Sequence, residues 1–160
     1  MTDPVSSAAF REALAHFASG VTIVTANDGT GPVGFTATGF ASVSLSPPLV
    51  LVSVGHNASA YGGIFAATHF GVSVLAETQS DLAKQFATQG IDRFAGVALE
   101  PEALAPVPLV RGSVARLHCA HHARHEAGDH TLLIGEVLGV WVSPGPPLVH
   151  FNRRFGGFST

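Results

Sequence analysis

Residues 34–54, Gly34-Phe35-Thr36-Ala37-Thr38-Gly39-Phe40-Ala41-Ser42-Val43-Ser44-Leu45-Ser46-Pro47-Pro48-Leu49-Val50-Leu51-Val52-Ser53-Val54, restrict the fold of this chain more than any other stretch. They read as two β-type segments that meet at a Pro-Pro corner, where the fixed φ of proline turns the backbone. Small hydroxyl residues are threaded among the apolar ones. A strand that only fills a core has no need for so many hydroxyls. A strand that lines a pocket for a flat, polar-edged ligand does.

The flanking sequence continues the β theme. Residues 6–18 read as a helix, with Phe10, Leu14 and Phe17 at helical spacing, Ser6 or Ser7 as the cap and Gly20 as the stop. Residues 21–26 read as a strand, 27–32 as a turn cluster, and 33–45 and 48–54 as two further strands. Residues 56–67 are mixed and contain a short helix. Residues 69–75 alternate like a strand. Ser80–Ala87 reads as a helix with Ser80 as N-cap and Leu82 and Phe86 on one face. Residues 105–108 read as loop, 109–119 and 131–142 as strands, and 148–151 as a short last strand. The expected fold is mainly β: a closed or nearly closed barrel with flanking short helices. No repeat, linker or low-complexity tail interrupts residues 1–160, so one domain is expected.

Composition narrows the function classes. Charged residues are 12% and hydrophobic residues 46%, which excludes disorder and implies extensive burial, including a subunit interface. Net charge is −3 and the eight Lys and Arg are scattered, so no nucleic-acid partner is expected. No apolar run approaches the roughly 20 residues of a membrane span, so no membrane partner is expected. Met1-Thr2-Asp3-Pro4 lacks the basic and apolar regions of a signal peptide. The lone Cys119 excludes an intramolecular disulfide. A soluble cytoplasmic protein is the expectation.

Four motifs carry chemistry. Gly29-Thr30-Gly31-Pro32-Val33-Gly34 matches G-x-G-x-x-G, but strand-like residues follow it instead of a helix, and no acidic residue sits about 20 positions on. It reads as a hairpin turn. His118-Cys119-Ala120-His121-His122-Ala123-Arg124-His125-Glu126 invites a metal, since His121 and His125 could share a helix face and Cys119 is a soft ligand. Gly128 and Asp129 break any such helix, H-E-x-x-H is absent, and the segment reads as a solvated connection between strands with no metal expected. Cys119 itself reads as a buried small hydrophobe. Gly128-Asp129-His130 feeds a histidine into the mouth of a strand. There it either donates a hydrogen bond to a ligand or caps the turn. His56-Asn57-Ala58-Ser59 offers two donors, Asn57 and Ser59, and a cation, His56. If Ser59 opens a helix, its free amides favour a phosphate; otherwise it is an ordinary cap. Neither a G-x-S-x-G elbow nor an S-x-x-K arrangement supports nucleophilic catalysis.

With these residues read, the chain resembles the short-chain flavin reductases of the FMN-binding split-barrel fold, the reductase components of two-component flavin monooxygenases. The resemblance runs from Phe10-Arg11 through Gly20-Val21-Thr22-Ile23-Val24-Thr25, Gly34-Phe35-Thr36-Ala37-Thr38 and the serine-proline stretch at 42–50. It continues through Phe70-Gly71-Val72-Ser73-Val74-Leu75, Leu82-Ala83-Lys84-Gln85-Phe86-Ala87, Asp92-Arg93-Phe94 and Gly128-Asp129-His130 to Pro147-Leu148-Val149-His150-Phe151. It implies a six-stranded Greek-key split barrel in a homodimer, with FMN or FAD in a groove near the interface and NADH or NADPH as hydride donor. Thr36, Ala37 and Thr38 would meet the isoalloxazine edge. Ser53 and Val54 would lie beside the ring or ribityl chain. Asn57 and Ser59 would take the phosphate, Phe86 and Phe94 would bound the site, and His130, the catalytic candidate, would face the nicotinamide. Backbone amides beside Thr38 and Ser53 would stabilise charge on the reduced ring.

The implied activity is NAD(P)H:flavin oxidoreduction that supplies reduced flavin to a partner flavin-dependent monooxygenase. A non-catalytic flavin-binding or electron-carrier split barrel is the alternative, and a His-rich metalloprotein built on residues 118–130 is a third reading. The chain departs from the family pattern at Thr38 or Gly39, where serine or asparagine is frequent. It departs again at His56 or Asn57, where lysine is frequent, and in residues 150–155.

Overall fold

The structure, a computed structural model, describes residues 4–102 and 106–158; Met1-Thr2-Asp3 and Ala105, with the readings made for them, lie outside the described residues. Helix α1 (Ser7–Ala15) is capped by Ser6, whose Oγ accepts from the Ala9 amide at 3.2 Å. It ends sooner than its apolar spacing predicts, and Gly20 does not terminate it. Gly20 lies in β1 (Ser19–Gly20), which is recruited by antiparallel pairing to β9 (Leu148–Phe151). Nor is β9 the last strand. Asn152 and Arg153, both at positive φ, turn the chain into β10 (Arg154–Gly157), which pairs back onto β9.

Seven strands form the main antiparallel sheet: β2 (Thr22–Asn27), β3 (Pro32–Ala37), β4 (Phe40–Leu45), β5 (Pro48–Gly55), β6 (His69–Val74), β7 (Ala115–Ala127) and β8 (His130–Val142), in the order β3-β2-β6-β7-β8-β5-β4. That is one more strand than the resemblance implies. Residues 33–45 do not form a single strand. They break at Thr38-Gly39, and β3 and β4 lie at opposite ends of the sheet. Sequence alone could not place this break, because both halves are β-formers and only the curl of the sheet forces the chain across. The Ser53 amide donates to the Gly39 carbonyl at 2.8 Å, one pair beyond Phe40↔Val52, so the corner is tied into the β4–β5 ladder. A Cβ at Gly39 would lie 2.9 Å from Ser53 Cβ, so glycine permits this close pairing.

Alternation places Phe35, Ala37, Val50, Val52, Val54, Phe70, Val72, Cys119 and Leu133 in one core inside the barrel. Residues Gly34 and Thr36 face the other way, toward α3 (Ser80–Ala87). A second core lies beneath that helix, built from Val21, Ile23, Leu75, Ala83, Phe86, Val110 and Leu148. Burying a side chain such as Phe86 contributes roughly 1.5–3 kcal/mol. Leu82 and Phe86 do share the packed face, but the N-cap of α3 is Gln79, because a 3₁₀ turn over Glu77–Gln79 leads into the helix.

The largest difference from the sequence reading is in the His-rich segment. Residues 118–126 do not form a solvated connection. They continue β7, which pairs with β8 through to Ala127↔His130. Residues 109–114 are not part of that strand; Val110 instead makes an isolated bridge to Leu99. Histidine and arginine carry no strong β pattern, so the partner strand β8 supplies the order here.

Candidate functional site

The free edge of β3 approaches β5 and leaves a seam that at one end reaches the Thr38-Gly39 corner. At the other end is a hollow of about 200 Å³ lined by Pro32, Val33, Gly34, Ser59, Arg93 and Phe94, among others. Five residues of extended chain separate Gly34 from Gly39, so the seam is about 17 Å long. It suits an elongated ligand.

The sequence-predicted residues distribute along this seam unequally. Thr36 faces α3, and its hydroxyl donates to the Ala83 carbonyl at 2.6 Å. Its side chain therefore serves helix docking. Ala37 is buried in the barrel core, and its carbonyl accepts from the Thr22 hydroxyl at 2.8 Å. Thr38 is exposed in the corner, beside a second, apolar hollow lined by Phe10, Leu14, Phe17, Gly39 and His150. Ser53 is half-buried, and its amide is already committed to Gly39. Of the backbone amides expected beside Thr38 and Ser53, that of Ser53 itself is therefore not free for a ligand. Val54 is fully buried in the core, so only its backbone can border a ligand. Phe86 is also fully buried, where its ring meets Phe94 edge-to-face at 5.0 Å. Phe94 is the member of that pair that reaches the hollow.

The structure brings Asn57 and His130 together. Gly55 pairs in register with His130, and a Cβ at Gly55 would lie 3.2 Å from Asn57 Oδ1 and 3.4 Å from His130 Nε2. His130 Nδ1–H donates to Asp129 Oδ1 at 2.7 Å, which fixes the tautomer and leaves Nε2 to face the rim. The same hydrogen bond holds the Asp129 carboxyl below its usual range. Ser59 does not open a helix. The helix that follows, α2 (Tyr61–Ala66), starts two residues later behind Ala60, and Ser59 lies exposed in the hollow instead.

Two features escaped the sequence reading. Arg93 lines the hollow beside Ser59. Its Nε donates to the Thr88 carbonyl at 2.8 Å and its Nη1 to the Gly34 carbonyl at 2.9 Å. Burial lowers its pKa, but a guanidinium stays charged. Gln85 Nε2 fixes the loop by donating to the carbonyls of Arg93 and Ala95. The available signal was the Asp92-Arg93-Phe94 triplet in a chain with only eight basic residues. The second feature is a polar knot at the rim. The fully buried Thr131 hydroxyl lies 3.1 Å from His56 Nε2, 2.8 Å from Tyr61 Oη and 3.0 Å from Glu126 Oε1. No spacing in the sequence links these residues.

The His-rich strand makes a different arrangement. Among the described residues no group of three or more His, Cys, Asp or Glu side chains is placed to hold a metal. Cys119 is fully buried, and desolvation pushes its thiol up to about 12. The donor set at the seam fits a phosphorylated, flat, polar-edged molecule: a guanidinium and a hydroxyl at one end, an exposed threonine and a half-buried serine at the other, and a histidine nitrogen between.

The family described as flavin reductase like domain matches residues 14–159. The FMN reductase (NADH) SmoA of Agrobacterium fabrum is 42% identical over 154 residues, covering 96% of this chain and 87% of that protein. The reductase component of 4-hydroxyphenylacetate 3-monooxygenase from Thermus thermophilus is 42% identical over 92% of this chain and 93% of its own length. Among solved structures, the NADH:FAD oxidoreductase SgcE6 of Streptomyces globisporus C-1027, in complex with NAD and FAD fragments, superposes with a TM-score of 0.89 at 40% identity. That match covers 99% of this chain and 96% of the other.

Proposed function

The chain belongs to the flavin reductase-like family, and on that premise we propose that it is an NADH-dependent flavin reductase that passes reduced FMN or FAD to a flavin-dependent monooxygenase. The observation that carries this reading is the seam between β3 and β5, with a cation at one end and a histidine nitrogen on its rim. When bound, the flavin and the nicotinamide supply the hydride chemistry.

The chain's own residues bind and orient. Arg93 and Ser59 take the phosphate, with Asn57 beside them on the rim. Thr38 and Ser53 border the ring edge, and the backbone of Ala37 and Val54 walls the seam. Thr36 and Phe86 support that wall from behind, by docking α3 and packing under Gly34. Phe94 closes the hollow. His130, held by Asp129, presents Nε2 toward the nicotinamide. Alignment of two bound partners is most of what such a site must provide.

We read residues 1–160 as one such unit. A homodimer is supported by Phe10 and Leu14 of α1 and by Phe17 just after it, which are 58%, 55% and 74% exposed on one protomer beside Thr38. No helix among the described residues is long and apolar enough to cross a membrane. We propose a cytoplasmic location on the NADH dependence named for its relatives.

Purified protein mixed with FMN or FAD and NADH should consume the NADH, as read by loss of its absorbance, and only when flavin is present. Flavin binding without consumption would replace this reading with that of a flavin carrier. No flavin binding at all would remove the site assignment.

A further inference from the structure

The rim carries a connection that the proposed chemistry does not by itself require. Thr131 follows His130 in β8, and its hydroxyl is completely buried. A hydroxyl has one proton and two lone pairs. Here the proton goes to Glu126 Oε1 at 3.0 Å, while Tyr61 Oη–H and His56 Nε2–H donate to the oxygen at 2.8 and 3.1 Å. All three capacities are filled. The His56 ring also reaches Glu126 Oε2 at 3.1 Å and meets the Tyr61 ring edge-to-face at 5.4 Å.

The partners come from two separate elements. His56 and Tyr61 flank Asn57 and Ser59, on the turn that leaves β5. Glu126 and Thr131 flank Asp129 and His130, on the β7–β8 hairpin. The backbones are tied at the same place, where the His56 amide donates to the Asp129 carbonyl at 3.0 Å. One buried oxygen thus joins the turn that holds the phosphate-end candidates to the hairpin that holds the nicotinamide-facing candidate. Charged and titratable groups facing this point are His56 from the turn and Glu126, Asp129 and His130 from the hairpin.

We propose that Thr131 is a positioning residue that couples the flavin-phosphate turn to His130, so that binding of the flavin tail and placement of the nicotinamide depend on the same hydroxyl. The proposal rests on the flavin reductase reading. Thr131 touches neither ligand. It acts by holding His56 and Tyr61, and through them Asn57, at a fixed distance from His130. A mere core threonine would influence stability and leave the two binding functions independent. A coupling hydroxyl must move both together, since removing it takes away the one buried oxygen that the half-buried Tyr61 hydroxyl and His56 of the turn share with Glu126 of the hairpin, and leaves only the exposed His56–Glu126 pair between them.

The test measures two quantities in wild type, Thr131→Val, Thr131→Ser and Tyr61→Phe. One is the dissociation constant for FMN, or for FAD if that is the flavin bound. The other is the single-turnover rate of flavin reduction by NADH at saturating flavin. Thr131→Val should weaken flavin binding about tenfold and slow reduction about tenfold. Thr131→Ser, which keeps the oxygen, should return both to within about threefold of wild type. Tyr61→Phe keeps the ring and removes one donor, so it reads the same link if Thr131→Val does not fold. It should move both quantities about threefold in the same direction. A folded Thr131→Val, or Tyr61→Phe in its place, that changes only one quantity overturns the coupling. Failure of Thr131→Ser to rescue also overturns it. If wild-type protein neither binds flavin nor turns over, the flavin reductase reading itself fails and the coupling falls with it.

Discussion

Two pairs of histidines in this molecule sit under opposite physical regimes. At the rim, His56 and His130 each lie against a carboxylate, Glu126 at 3.1 Å and Asp129 at 2.7 Å, in side chains that are 40% and 45% exposed. On the outer part of β6 and β7, His118 and His121 keep a buried Nε2 with no hydrogen-bond partner among the described residues. Their neighbours there are other rings: His69 at 5.1 Å from His118, and Phe70 at 5.5 Å from His121. Burial, with His69 close by, lowers the pKa of both. The rim is built to hold a polar group in place, and the strand is built to keep one neutral. Residue type alone therefore says little about role; the partner decides it.

The strongest way to break this contrast is His130→Ala. It should slow hydride transfer or raise the KM for NADH on the order of 10–100-fold, with flavin affinity changed much less. Steady-state kinetics with either flavin would show it, and unchanged kinetics would remove His130 from the site.

Lowering the pH tests the two regions together. His118 and His121 have folded-state pKa values below the ordinary 6.5, so the unfolded chain binds more protons as the pH falls. Their contribution to stability is complete above about 6.5, declines as the pH drops from there, and levels off once the folded-state values are passed. Asp129 behaves differently. Its carboxyl is held below its usual 3.8, so its contribution survives down to that range. Denaturant midpoints at pH 7 and pH 5 should fall together with loss of the strand histidines' neutrality. The pH 5 loss should shrink in His118→Leu.

A smaller effect is expected from His121→Phe. It removes the orphaned nitrogen beside Phe65 and Phe70. Stability at neutral pH should rise by about 1 kcal/mol with activity unchanged. A loss of stability in chemical denaturation would mean that the nitrogen has a partner. The smallest change is expected from Asp129→Asn, which keeps a hydrogen-bond acceptor for His130 and removes the charge. The KM for NADH should rise about threefold. An effect as large as that of His130→Ala would make Asp129 an equal member of the site.

The sequence made much of the barrel legible, because alternation and β-branched content report on burial directly. β2, β5, β6 and β8 all lie within about a residue or two of their expected bounds. The site was legible in part. Asn57, Ser59, Phe94 and His130 do border the rim or the hollow. Thr36, Val54 and Phe86 do not present free side chains there, because alternation along a strand or helix turns them to α3 or into a core. Arg93 was hidden in a loop with no periodicity, and the His56–Tyr61–Thr131–Glu126 knot joins residues far apart in sequence.

By itself the sequence determined that the chain is mainly β, that a hydroxyl-bearing corner lies between residues 34 and 54, and that a Gly-Asp turn delivers His130 to a strand mouth. These are local properties, fixed by φ preferences, side-chain branching and period-two burial. Only the tertiary structure decided that residues 33–45 break at Thr38-Gly39, that the His-rich segment is a strand, and which hydroxyls remain open to a ligand. Those outcomes depend on which strand lies next to which, and on which hydrogen bonds the closed sheet has already claimed. Neither is encoded in any single stretch of chain.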